Sequence, residues 1–209
     1  MRTNHPSYKC KMCYWIINVD YKSVKWFYNL STTLIIPLKI ISLLGTIQFW
    51  ILFTIILFIY GILFNQSMEN FSVLLFTGIV VSLMTVSVVK RIVRRKRPYM
   101  DEKLHEYTQQ KYVNREPYIS KQQQSFPSGH MYFLVMEAIF FYVQFGFWAL
   151  FPFLILTPLI FVSRIHLGVH FLSDVLMGMI MGLVFGILTQ IIFDKYLLPL
   201  YLNWVGIFL

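Results

Sequence analysis

The chain has 209 residues, 57% hydrophobic, 18% aromatic and only 13% charged, with 18 Lys and Arg against 9 Asp and Glu for a formal net charge of +9. A soluble domain of this length carries about twice that charged fraction, so the composition excludes an ordinary soluble enzyme and indicates an all-α polytopic membrane helix bundle of one compact domain. The positive balance does not indicate nucleic acid, because the basic residues stand beside apolar spans, where anionic lipid headgroups are the nearer partner.

Met1 to Tyr14 is polar and basic, and Trp15 to Ile35 is interrupted by Asp20, Lys22 and Lys25, so the N-terminus does not read as a cleavable signal peptide. Trp15, Tyr21, Trp26, Phe27 and Tyr28 interleave with those charges, the pattern of a helix lying in the interface or only partly inserted. Cys10 and Cys13 form a lone CxxC with His5 nearby. Zinc wants four ligands and the chain offers no second cysteine pair, so neither a metal site nor a disulfide framework is read from them. Leu34 to Leu44 is apolar but holds Pro37 and Lys39, which suits an interfacial or re-entrant segment.

Five stretches then approach the roughly 20 apolar residues a span needs. They run from Ile47 to Phe64, from Phe71 to Val89, from just after His130 to Phe147, from Trp148 to Val162, and from after His170 to Phe193. The polar stretch Asn65 to Asn70 separates the first two, and Pro152 and Pro158 interrupt the fourth. A polar loop from Tyr99 to Phe126 carries Asp101, Glu102, Lys103, His105, Glu106, Lys111, Arg115, Glu116 and Lys121. Its length at a membrane site suits a cap or a substrate-selecting element. Gly178, Gly182 and Gly186 recur every fourth residue of the last span, a row that allows another helix to approach closely or is ordinary glycine use in membrane helices.

Basic and histidine residues are expensive beside a bilayer and mark working sites when they cluster. Three clusters abut the spans: Lys90 with Arg97-Pro98, then Pro127-Ser128-Gly129-His130, then Ser163-Arg164 with His170 and Asp174. Alternation of the spans puts all three on one side of the membrane. Together they suit a phosphate, whose transition state spreads negative charge over three equatorial oxygens. Lys90, Arg97 and Arg164 supply compensating cations, while Ser128 and the amides at Gly129 add neutral donors at a helix N-terminus. His170 and Asp174, four apart, are expected on one helix face, with the carboxylate fixing the imidazole tautomer and leaving the other nitrogen free to attack. His130 is then the general acid for the leaving oxygen, and no metal or other cofactor is required. His166 and His105 receive no role.

The combination KxxxxxxRP, PSGH and SRxxxxxHxxxD resembles the signature of the type 2 phosphatidic acid phosphatase superfamily. The run Ser163 to His170 and Gly178 after Asp174 resemble it further. The resemblance covers about Pro37 to Gly186 and implies the same roles: His170 as the nucleophile that becomes phosphohistidine, Asp174 orienting it, and His130 as acid. Lys90, Arg97, Ser128, Gly129 and Arg164 would hold the phosphoryl oxygens. It further implies a metal-independent phosphatase acting on phosphatidic acid, phosphatidylglycerophosphate, a lipid A phosphate or a polyprenyl diphosphate. Phosphotransfer to an alcohol through the same intermediate is the alternative, and a non-catalytic lipid-phosphate binder or transporter stands behind both.

The expected organisation is an interfacial segment at 1–36, a membrane phosphatase core at 37–193 and an apolar tail at 194–209, in an integral multi-pass protein of the cell membrane. Of the 18 Lys and Arg, only Lys195 falls opposite the motifs, which points the site toward the cytoplasm. Many bacterial members of the resembled family face outward, so the side stays open.

Overall fold

The computed structural model describes residues 11–29, 31–101, 104 and 123–208. Its helices are α1 (Lys11–Tyr28), α2 (Ile35–Leu43), α3 (Ile47–Phe64), α4 (Gln66–Val93), α5 (Gly129–Phe145), α6 (Phe151–His166), α7 (Leu172–Ile192) and α8 (Leu198–Phe208). No strand occurs among the described residues, only an isolated bridge between Lys96 and Gln124.

Among the described residues, four helical stretches of at least 18 residues are apolar enough to cross a bilayer, where five spans were expected: Ile47–Phe64, Gln66–Val93, Phe147–His166 and Leu172–Val205. The third expected span is the exception. It stops at Phe145, where Gly146 takes a φ of 81°, and α5 is left with 17 residues. That is the lower limit of length for a span, and α5 forms the packed centre of the bundle, with Tyr132, Leu134, Met136, Glu137 and Phe140 fully buried. Around it, α3 turns Leu52, Ile55, Ile56, Ile59, Ile62 and Leu63 outward, where only hydrocarbon would accept so continuous an apolar surface. The chain is an integral multi-pass membrane protein.

Local chemistry explains the other shifted boundaries. The polar stretch after Phe64 is the first turn of α4, not a connector. Asn65 caps that helix, its Oδ1 accepting from the amides of Ser67 at 3.0 Å and Met68 at 3.4 Å. At its other end α4 runs on to Val93 and terminates on Arg94 in the left-handed region (φ 50°), whose Nε donates to the Arg91 carbonyl at 2.9 Å. Beyond Ile192 the chain stays helical through a π turn at Phe193–Leu197 and on into α8, so the expected tail continues a span.

Two contacts position the site. Gly178 on α7 faces the Ser128 carbonyl on α5, where an added Cβ would lie only 2.5 Å from that oxygen, and Gly182 faces the Tyr132 carbonyl at least as closely. The glycine row is therefore a close helix contact, and it seats the start of α5 on the start of α7. The second contact brings in α1. Asp20, Val24 and Tyr28 form its buried face, while Met12, Trp15, Lys22 and Trp26 are exposed. His166 Nδ1 donates to the Phe27 carbonyl at 2.7 Å, so this histidine fastens α1 to the end of α6. α2, with 9 residues, is too short to span and packs on α6. Cys13 lies exposed on α1; Cys10, His5 and His105 fall outside the described residues, as does most of the expected capping loop.

Candidate active site

The three clusters meet around one cavity of about 860 Å³. Lys90, Arg97, Gly129, His130, Arg164 and His170 all line it. They arrive from several elements: Lys90 from the last turn of α4, Arg97 from the segment after it, Gly129 and His130 from the first turn of α5, Arg164 from the last turn of α6, and His170 from the turn before α7. Ser128 and Asp174 do not line it; they sit behind, fully buried. The remaining wall is largely apolar, with Ile36, Ile40 and Leu43 from α2, Ile47 from α3, and Leu83 and Val86 from α4. α2 also contributes Lys39, a cation outside the three clusters.

His170 is not on a helix face shared with Asp174, as its spacing suggested. It lies in the turn between α6 and α7. Gly168 (φ 64°) turns the chain back there, so that the amides of Val169 and His170 both donate to the Arg164 carbonyl at 3.2 Å. Asp174 occupies the first turn of α7, and its Oδ2 accepts from the Phe171 amide at 2.9 Å, capping that helix. The same oxygen faces His170 Nδ1 at 3.7 Å, an ion-pair distance longer than a hydrogen bond. The pairing thus comes from a helix cap and not from helical periodicity. Burial pushes the His170 imidazole down to about 4, against the opposing pull of the Asp174 carboxylate, so the ring is neutral near pH 7.

Arg164 Nη1 lies 3.0 Å from His130 Nε2. A guanidinium can only donate, so in this arrangement Nε2 is the unprotonated acceptor. Arg97 Nη1 donates to the Val169 carbonyl at 3.3 Å, which holds the guanidinium beside the His170 turn. The Ser128 amide donates to the Asp174 carbonyl at 2.9 Å, tying the second cluster to the third, and Ser128 Oγ has no hydrogen-bond partner among the described residues.

The family model described as the PAP2 superfamily matches residues 71–197, more than half the chain. The chain belongs to the PAP2 superfamily. Two solved structures share its fold. A transmembrane PAP2-type phosphatidylglycerolphosphate phosphatase from Bacillus subtilis superposes with a TM-score of 0.68 at 21% identity, over 87% of this chain and 88% of that one. LpxE from Aquifex aeolicus does so with a TM-score of 0.58 at 19% identity, over 82% of this chain and 94% of that one. No curated protein sequence matches.

In this PAP2 chain the structure adds two residues that the sequence reading passed over. Arg95 donates from Nη1 to Asp174 Oδ1 at 2.7 Å and from Nη2 to Asp20 Oδ2 at 2.6 Å. Arg95 was hidden inside the run Arg94-Arg95-Lys96-Arg97, where any basic residue reads as flanking charge. Asp20 does leave a signal, as the lone carboxylate between Trp15 and Ile35, but in sequence it argues only against insertion, because its ion-pair partner lies 75 residues away.

Proposed function

We propose that this protein is a metal-independent membrane phosphatase that removes the terminal phosphate of a lipid phosphate or diphosphate through a phosphohistidine on His170. The observation that carries the reading is the two-natured cavity. Its lining has a polar part, with Lys90, Arg97 and Arg164, two imidazoles and Lys39, and an apolar part, with Ile36, Ile40, Leu43, Ile47, Leu83 and Val86. A phosphate on an apolar chain satisfies both parts; a soluble phosphate leaves the second one wet.

The groups present account for each step. The phosphoryl oxygens bind Lys90, Arg97 and Arg164 beside the Gly129 region, with the Ser128 hydroxyl, which has no partner among the described residues, buried behind that turn. An entering phosphate draws Arg164 away from His130 Nε2, which is then able to take up a proton. Neutral His170, whose Nδ1 faces Asp174 and closes to it as the imidazole gains charge, attacks phosphorus with Nε2. The P–O bond to the lipid breaks, and the leaving oxygen takes the proton from His130. Water, deprotonated by His130, then attacks the phosphohistidine, releasing inorganic phosphate and regenerating neutral His170. Donors in this set are cations and imidazoles, and the one carboxylate next to the nucleophile is already engaged by Arg95.

The test is phosphate release in detergent with EDTA present, comparing phosphatidylglycerophosphate, phosphatidic acid and a polyprenyl diphosphate. Phosphatidylglycerophosphate leads the panel because the Bacillus subtilis fold neighbour is a phosphatase for it by name. Turnover in the wild type that vanishes in His170→Ala supports the reading. Absence of turnover on all three lipids, or activity that survives His170→Ala, overturns it.

A further inference from the structure

We propose that Asp20 and Arg95 are positioning residues for the His170–Asp174 pair, which makes α1 a part of the catalytic unit and not only a membrane-surface segment. The proposal rests on the phosphatase reading above and extends it to residues outside the three motifs. Asp20 also lies outside the matched stretch 71–197.

The geometry is a closed ring. Arg95 Nη1 donates to both Asp174 Oδ1 and Ser173 Oγ at 2.7 Å, and its Nη2 donates to Asp20 Oδ2 at 2.6 Å. Ser173 in turn donates from its amide to Asp20 Oδ1 at 2.8 Å and from its hydroxyl to Asp20 Oδ2 at 2.6 Å. The guanidinium is fixed from another direction by the Phe171 ring, whose centroid lies 4.0 Å away. Asp20 is 1% exposed and Asp174 is 0% exposed. Two buried carboxylates therefore share one cation, and each depends on it for compensation.

The consequence falls on the nucleophile. Asp174 spends Oδ1 on Arg95 and Oδ2 on the Phe171 amide, so both oxygens are held, and the 3.7 Å separation from His170 Nδ1 is set by that orientation. A small rotation of the carboxylate decides whether Nδ1–H finds an acceptor and whether Nε2 carries the lone pair. Without Asp20, Arg95 loses the anchor that holds it against Asp174. Arg95 does not line the cavity, unlike Lys90, Arg97 and Arg164, so its action on substrate runs through Asp174.

That indirect action gives a distinctive signature. Losing a charged hydrogen bond that orients the nucleophile lowers kcat by roughly 10- to 100-fold and leaves KM within about twofold. Orthovanadate, which adopts the five-coordinate geometry of the transition state on the nucleophile, should weaken in parallel, while inorganic phosphate, held by the cavity cations, should not.

The experiment uses purified full-length protein in detergent: wild type, His170→Ala, Asp20→Asn, Asp20→Ala, Arg95→Gln and Arg95→Lys. It measures kcat, KM, orthovanadate affinity, inorganic phosphate affinity and melting temperature. The expected result is reduced kcat and vanadate affinity in Asp20→Asn and Arg95→Gln at unchanged phosphate affinity, with partial recovery in Arg95→Lys. Asp20→Asn keeps the shape of the side chain and carries the test if Asp20→Ala does not fold. Wild-type kcat in folded Asp20→Asn overturns the proposal, and so does a parallel fall in vanadate and phosphate affinity in Arg95→Gln. A wild type without His170-dependent turnover or vanadate binding overturns the phosphatase reading instead, and the proposal with it.

Discussion

Gly178→Ala should damage catalysis more than it damages the fold, and its neighbour Gly182→Ala supplies the control. A Cβ at 178 would sit 2.5 Å from the Ser128 carbonyl oxygen and 3.3 Å from Met131 Cβ, whereas ordinary contact begins at 3.4 Å. Both neighbours belong to α5 near its start, and the oxygen is backbone, so no side chain can swing aside. The two helices must part by about 1 Å, an overpacking strain of roughly 1–3 kcal/mol. At 178 that displacement acts on Ser128, whose amide donates to the Asp174 carbonyl at 2.9 Å, and on the adjoining His130. It moves His130 relative to His170, the proposed acid and nucleophile, and a misplacement of about 1 Å lowers rates by up to roughly 100-fold. A Cβ at 182 meets the Tyr132 carbonyl just as closely, but one turn farther from the site. Both variants should therefore lose similar melting temperature in detergent, while kcat per folded molecule falls mainly in Gly178→Ala. Equal kcat losses in the two, or none in Gly178→Ala, would refute the claim that this contact sets the site.

Arg164→Lys removes the planar fork that donates to His130 and, in the proposed mechanism, to the phosphate, so kcat/KM for the lipid should fall by about tenfold or more although the charge is kept; an unchanged value would mean that Arg164 acts only as a point charge. Because burial holds His170 at about 4, below the usual histidine value of about 6.5, the folded protein binds fewer protons there than the unfolded chain between those pH values. This group's contribution to stability therefore falls as pH drops from about 6.5 toward 4, so the pH slope of thermal melts should be shallower in His170→Ala than in the wild type. Glu137 is fully buried in α5, with neither carboxylate oxygen hydrogen-bonded among the described residues. Replacing it with Met should raise stability by about 1–3 kcal/mol and spare activity, since Glu137 does not line the cavity; a loss of turnover at intact stability would give the residue a role in the reaction.

Much of this protein is written in its local sequence. A bilayer forces apolar stretches into helices, so the runs at 47–64, 71–89 and beyond 170 announce themselves. Cations and imidazoles beside them are costly enough that Lys90, Arg97, Arg164, His130 and His170 stand out as site candidates before any folding is considered. Span alternation even indicates that they share one side. What the chain alone did not decide was every feature that depends on a partner far away in sequence. Helical periodicity paired His170 with Asp174 for the wrong reason, since a turn at Gly168 and a helix cap, not a shared helix face, set that contact. Repetition could not tell whether Gly178 and Gly182 were ordinary glycines, because the answer lay in the carbonyls of Ser128 and Tyr132, about 50 residues earlier in the chain. Asp20 and Arg95 stayed silent for the same reason. Their separation of 75 residues is closed only when α1 packs against α6 and α7, and only then do an interfacial carboxylate and one of four consecutive basic residues become a single charge pair behind the nucleophile. Solvent and bilayer act on each segment alone, so hydropathy is legible from sequence; a hydrogen bond needs both partners in place, and only the tertiary structure puts them there.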